Sequence, residues 1–237
     1  MKPVWRRREN LAWVESIDST QTEVCRLVRS GDTTVTVLAA EEQTEGRGRF
    51  GRDWLSPAGE CLAVSIALFE YADWERPELL GMAIGLAAAQ AFDFEIAWPN
   101  DLMLNNKKVG GVIAELVKNP IDQLVPVIGV GINLSVPSFP AEIAETATSL
   151  LLESRKPLHP EEALDLLLDA IVDLPEPTNW VALAPLWAVH DTTAGKEYKL
   201  ADGTVGLAVE IAANGFLVVE VEGEIKTVPS AEAWFGS

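Results

Sequence analysis

The sequence predicts an α+β fold with a small β domain at its C-terminal end, and three observations carry that expectation. Apolar, β-branched runs at residues 35–40, 61–69, 109–117 and 125–134 read as buried strands. Between and after them lie segments with leucine, alanine and methionine at helical spacing, at residues 19–29, 78–94, 161–172 and 180–190. Past Asp191 the pattern changes to short β segments at residues 197–200, 204–211, 216–221 and 225–228, punctuated by the hairpin dipeptides Asp202-Gly203, Asn214-Gly215 and Glu222-Gly223. Residues 1–190 are therefore expected to form the main domain and residues 191–237 a barrel-like one. A unit of about 45 residues buries little core alone, so it should lean on the larger domain.

The first helix is announced by Asp18-Ser19-Thr20-Gln21, with Thr20 and Glu23 at capping-box spacing and Gly31 as its stop. Capping alone is the simplest role for Ser19 and Thr20. The 61–69 strand has one polar interruption, Ser65. In the 78–94 helix, Gly81 and Gly85 allow close packing against a sheet. A short strand over 95–101 stops at Pro99, and Asn100, Asp101, Asn105, Asn106, Lys107 and Lys108 form a turn before the next strand. Asn133 closes an apolar run, so it either fastens a turn or faces a ligand. Residues 135–160 hold four prolines and read as irregular, with a short helix over 141–152. The last helix is bent or begun at Pro185.

The chain has 237 residues, 48% of them hydrophobic, enough for one core of ordinary size. No stretch approaches the roughly 20 apolar residues that span a bilayer, and the basic N-terminus lacks an apolar signal core, so a cytoplasmic protein is expected. Cys25 and Cys61 stand apart from any metal-ligand spacing and read as reduced core residues. A net charge of −18 argues against a general nucleic-acid surface, and Arg6, Arg7 and Arg8 read as a solvated arm. The two histidines, His159 and His190, have no catalytic neighbours in sequence, and no GxSxG elbow is present.

Against that acidic background, residues 43–54 read QTEGRGRFGRDW. Arg47, Arg49 and Arg52 alternate with Gly46, Gly48 and Gly51, too polar and too free to fold alone, so a mobile loop between two strands is expected. Glycine lets backbone N–H groups approach an oxyanion, and guanidinium forks fit phosphate or carboxylate. With Asn100 to Lys108 and Asn133, the loop makes a candidate site for an anion that gains charge during reaction. Neither a Walker loop nor a GxGxxG turn after a strand is present.

EEQTEGRGRFGRDW, then WPNDLMLNNKKVGGVIAE, then GVGINL, with DSTQ ahead of them, resemble in order and spacing the biotin protein ligases, or biotin–acetyl-CoA-carboxylase ligases. The resemblance runs from Asp18 to the C-terminus. It implies a mixed-sheet ligase catalytic domain with helices and a C-terminal SH3-like β-barrel domain. It implies also that biotin and Mg-ATP give biotinyl-5′-AMP, from which biotin passes to a lysine of a biotin carboxyl carrier protein. On that resemblance Ser19, Thr20, Gln21, Gln43, Gly46, Arg47, Gly48, Arg49 and Lys108 line the biotin site. Arg49, Arg52, Trp54, Asn100 and Asn133 meet the nucleotide, Asp101 meets Mg²⁺, and Arg49 and Lys108 are catalytic; Lys107 is the alternative to Lys108. Trp54 is expected to close the loop over the ligand. Many relatives carry an N-terminal DNA-binding domain; only seventeen residues precede DSTQ here, so no DNA partner is expected. No membrane partner is expected either, and monomer and homodimer both remain open. The alternatives are a lipoate or octanoate ligase or transferase, and a non-catalytic biotin-binding protein.

Overall fold

A computed structural model describes residues 10–230 and 233–235; Arg6, Arg7 and Arg8 lie outside them. The strands are β1 (Leu11–Ile17), β2 (Val37–Gln43), β3 (Cys61–Ala67), β4 (Glu95–Ala97), β5 (Asp101–Leu104), β6 (Lys107–Lys118), β7 (Leu124–Asn133), β8 (Glu197–Leu200), β9 (Val205–Ile211), β10 (Leu217–Val221), β11 (Glu224–Val228) and β12 (Ala233–Phe235). The helices are α1 (Thr20–Ser30), α2 (Pro77–Phe92), α3 (Pro160–Asp173) and α4 (Trp180–His190). Strands β1 to β7 form one sheet in the order β1-β2-β3-β7-β6-β5-β4, and β8 to β12 a second in the order β11-β10-β9-β8-β12. The first is mixed: β1 runs parallel to β2, and the remaining neighbours are antiparallel. The second is antiparallel throughout.

The main core lies on the α2 face of the large sheet. Gly81 faces Ala114 and Gly85 faces Val112, so the two small residues bring α2 against β6. Helices α3 and α4 cover α2 with Leu164, Leu167, Leu168, Trp180 and Trp187, and the same core continues into the second sheet through Tyr198, Leu217 and Val219. The smaller sheet does lean on the larger one. Trp98 Nε1 donates to the carbonyl of Gly215 at 3.0 Å, and Arg76 donates to the carbonyl of Asn214 at 2.7 Å. The opposite face carries α1, packed through Val24, Cys25 and Val28 against β2 and β7. Cys25 and Cys61 are free and buried.

Four points differ from the reading of the sequence. Strand β1 precedes the first helix; it is an edge strand paired with β2 alone, and its short apolar run Leu11–Val14 is only partly buried and gives way to Glu15 and Ser16, which are exposed. The polar stretch 100–108 is not one turn: Asp101–Leu104 forms β5, and only Asn105 and Asn106, both at positive φ (51° and 63°), reverse the chain. Residues 141–152 form successive turns, because Lys108 N–H bonds to Thr146 O and Thr148 N–H to Lys108 O, drawing this segment against β6. At α1 the N-cap is Ser19, whose hydroxyl accepts from Thr22 N–H, while Glu23 pairs with Arg26 instead of closing a box with Thr20.

Candidate active site

The α1 face of the sheet, the start of α1 and the Arg/Gly loop enclose a cleft that the 139–147 segment borders on one side. It is lined by Ser19, Thr20, Gln21, Gln43, Arg47, Gly48, Arg49, Arg52, Trp54, Asn100, Asp101, Lys108 and Asn133. Gly46 is the one assigned residue outside the lining. Its carbonyl instead takes Trp54 N–H at 2.8 Å, and a Cβ there would stand 2.3 Å from Trp54 O, so the loop stem closes only on glycine. Gln43–Ser56 and Arg47–Asp53 bridges and the Gly48 N–H to Arg52 O bond fasten the rest of the loop. The Trp54 indole then packs against Gly131 of β7, where a Cβ would meet it at 2.5 Å.

At one end of the cleft, hydrogen bonding fixes which ends of two amides a ligand meets. Gln43 Oε1 accepts from Thr20 N–H at 2.9 Å and from Thr20 Oγ1 at 3.0 Å, which makes Nε2 the donor end of that amide. Ser65, fully buried, completes the chain at 2.9 Å from Thr20 Oγ1; with Thr20's proton given to Gln43, Ser65 is the donor. Gln21 is turned the other way. Its Nε2 donates to Glu115 and to the carbonyl of Val127, both at 3.2 Å, and its buried Oε1 has no partner among the described residues. A buried acceptor left unpaired costs about 1–3 kcal/mol, so this end is poised to accept a ligand N–H.

At the other end the charges form a chain. Lys108 Nζ bonds Asp101 Oδ1 at 2.6 Å, Asn100 Nδ2 lies 3.4 Å from the same oxygen, and Arg49 donates to Asn100 Oδ1 at 2.5 Å. Arg49 also reaches the carbonyl of Ser230 and stacks 4.7 Å over Phe50. Burial pushes its guanidinium below the usual value; Asp101 opposes that shift and Arg52 adds to it. Asp101 is 8% exposed, a buried carboxylate held by a lysine at the β5–β6 junction. Among the described residues no three of His, Cys, Asp and Glu stand together as a metal site. Asn133 borders the cleft, but Nδ2 bonds Thr148 O at 2.9 Å and Oδ1 faces Cys61 Sγ at 3.7 Å, so its amide fastens the 147–150 segment.

Residues 13–133 match the biotin/lipoate A/B protein ligase family. The chain belongs to that family. It is 29% identical to the biotin–[acetyl-CoA-carboxylase] ligase of Paracoccus denitrificans, over 92% of this chain and 98% of that protein. It is 30% identical to the bifunctional ligase/repressor BirA of Salmonella typhimurium, over 92% of this chain and 71% of that one. Its structure is similar to the biotin protein ligase from Aquifex aeolicus in complex with biotin and ATP, with a TM-score of 0.79, 32% identity, and 95% and 98% of the two chains covered. The mixed sheet with helices and the small antiparallel C-terminal sheet are the fold expected of this family.

Sequence reasoning missed Glu115, Ser230 and the wall formed by Phe139, Ile143 and Ala147. Alternation along β6 could have found Glu115, two and four residues beyond the cleft residues Ile113 and Gly111. Ser230 and the wall carry no local signal. Among the described residues, no helix is long and apolar enough to cross a membrane.

Proposed function

We propose that this protein is an ATP-dependent biotin protein ligase that makes biotinyl-5′-AMP and transfers biotin to one lysine of a biotin carboxyl carrier domain. The observation that carries this reading is the pair of oppositely turned amides, Gln43 and Gln21, at one end of a cleft whose other end holds Arg49 and Lys108. A cyclic urea has N–H donors and a carbonyl acceptor, and a valerate tail carries its carboxylate toward the cations. Lipoate and octanoate have the carboxylate but no head group to satisfy the amides, so the polar end favours biotin.

In the first step a biotin carboxylate oxygen bonds to the α-phosphorus of ATP and the bond from that phosphorus to the β-phosphate oxygen breaks, releasing pyrophosphate. Lys108 and Arg49 offset the charge that gathers on the phosphate oxygens, Lys108 as a compact charge held by Asp101 and Arg49 as a fork braced by Asn100. Mg²⁺ fits as an ion held chiefly by ATP phosphates, with Asp101 as its protein ligand, where it would neutralise phosphate charge. In the second step an acceptor lysine amine attacks the acyl carbon, AMP leaves and the amine loses a proton. Trp54 and the Arg/Gly loop shield the mixed anhydride from water in between. A reaction that consumes ATP and modifies a carboxylase carrier fits the cytoplasm. The test is pyrophosphate release by the purified protein: release that requires biotin as well as ATP supports the reading, and release unaffected by biotin contradicts it.

A further inference from the structure

We propose that Glu115 is a positioning residue that fixes the amide of Gln21 and, through Arg47, holds the Arg/Gly loop, so that it helps set which head group the cleft admits. The inference rests on the biotin reading of the cleft and adds to it a residue that never touches the ligand.

Glu115 lies on β6, two residues beyond the cleft residue Ile113. Its Oε1 accepts from Gln21 Nε2 at 3.2 Å and stands 3.3 Å from Arg47 Nη1, while Oε2 accepts from Arg47 Nη2 at 3.5 Å. One carboxylate on β6 thus ties the first turn of α1 to the arm of the loop that carries Arg47. Both N–H groups of Gln21 are spent, on Glu115 and on the Val127 carbonyl. Turning that amide over would aim its oxygen at a carboxylate and a carbonyl, two acceptors, so Oε1 is forced to the opposite side. It emerges beside Gly129, where a Cβ would stand 2.8 Å from it. An unpaired acceptor is stable in one orientation there because Glu115 makes the other one worse. The Arg47 link is half-exposed, 47% and 33% for the two side chains, so it acts as a weak latch.

The two roles separate by substitution. Glu115→Gln keeps an oxygen for Gln21 Nε2 and removes the charge that faces Arg47. Glu115→Met keeps the volume and removes both. The probes are biotin and the two cyclic carbamate analogues in which an oxygen replaces one ureido N–H. In the wild type, the analogue whose ring oxygen faces Gln21 sets two acceptors against each other and should bind at least about tenfold more weakly than biotin. Glu115→Met removes one of the two acceptors that oppose the turned amide and leaves the Val127 carbonyl, so that ratio should fall by about threefold or more, whereas Glu115→Gln should preserve it. Glu115→Gln should instead release biotinyl-AMP about two- to fivefold faster, an effect that fades with added salt. A merely structural role would weaken biotin and both analogues alike and leave the ratios unmoved; wild-type ratios in Glu115→Met, or in Glu115→Ala should the methionine fail to fold, would overturn the proposal. Wild-type protein that binds both carbamates as well as biotin would instead overturn the reading of the head-group site, and with it this one.

Discussion

Replacing Gly131 by alanine should open the lid. A Cβ at that position meets Trp54 at 2.5 Å from Cε2 and 2.7 Å from Cζ2 and Nε1. Carbon atoms in contact sit about 3.5–4.0 Å apart, so the indole must retreat by roughly 1 Å. It cannot do so alone. Trp54 N–H is bonded to Gly46 O, and Gly46 is pressed against Trp54 O, so a shift of the ring carries the stem of the loop that bears Arg47 and Arg49. Overpacking of this kind costs about 1–3 kcal/mol. Taken from the closed, liganded state, that is a biotin Kd raised about 5- to 150-fold. Taken from the fold, it lowers Tm by about 2–4 °C per kcal/mol for a chain of this size. Calorimetric titration with biotin and a thermal melt read both. Trp54→Leu in the Gly131→Ala background relieves the clash, so the double variant should bind no worse than Trp54→Leu alone. A Gly131→Ala protein with wild-type biotin affinity and a Tm within about 1 °C of wild type would refute the packing of Trp54 on Gly131 as the closure of the loop.

Lys108→Gln should cut the rate of biotinyl-AMP formation by about 10²–10³, as loss of a charge aimed at the reacting phosphate does, and pyrophosphate release measures it. The same change strands Asp101, so adding Asp101→Asn should recover Tm without recovering rate. Arg49→Gly should shorten retention of biotinyl-AMP by about tenfold or more, since it removes a charge-assisted contact; gel filtration of the labelled intermediate reads this, and unchanged retention counts against the role of Arg49. Burial pushes the thiols of Cys25 and Cys61 up to about 11 and about 12, from an ordinary 9.0. Both should resist alkylation at pH 8 in the native state and react in denaturant, as mass spectrometry will show. Because the folded values are raised, their contribution to stability is present below pH 9 and is lost as pH rises toward 11–12, so the urea midpoint should fall across that window.

What could be read from the sequence was what depends on neighbours along the chain. The Gly/Arg alternation of residues 43–54 announces an anion loop, and Asn214-Gly215 announces a hairpin, because φ preference and charge are local properties. The cleft residues assigned through the family resemblance came together with one exception, Gly46, whose part is in the loop stem. What escaped depends on partners far along the chain. β1 is a strand because β2 lies beside it; residues 141–152 are turns because Lys108 pairs with them. The Gln21 amide is bonded to Glu115 and to the Val127 carbonyl, 94 and 106 residues away, and no local pattern carries that. The sequence around Asn133 fits a turn as well as a ligand, and its bond to Thr148 O shows an amide engaged in the turn.

The most direct measurement is mass spectrometry of a biotin carboxyl carrier fragment incubated with this protein, biotin and Mg-ATP, with lipoate in place of biotin as the control. Ligation predicts a gain of one biotinyl group on a single lysine that requires ATP and is not matched by lipoate. No gain with biotin, or an equal gain with lipoate, would contradict it.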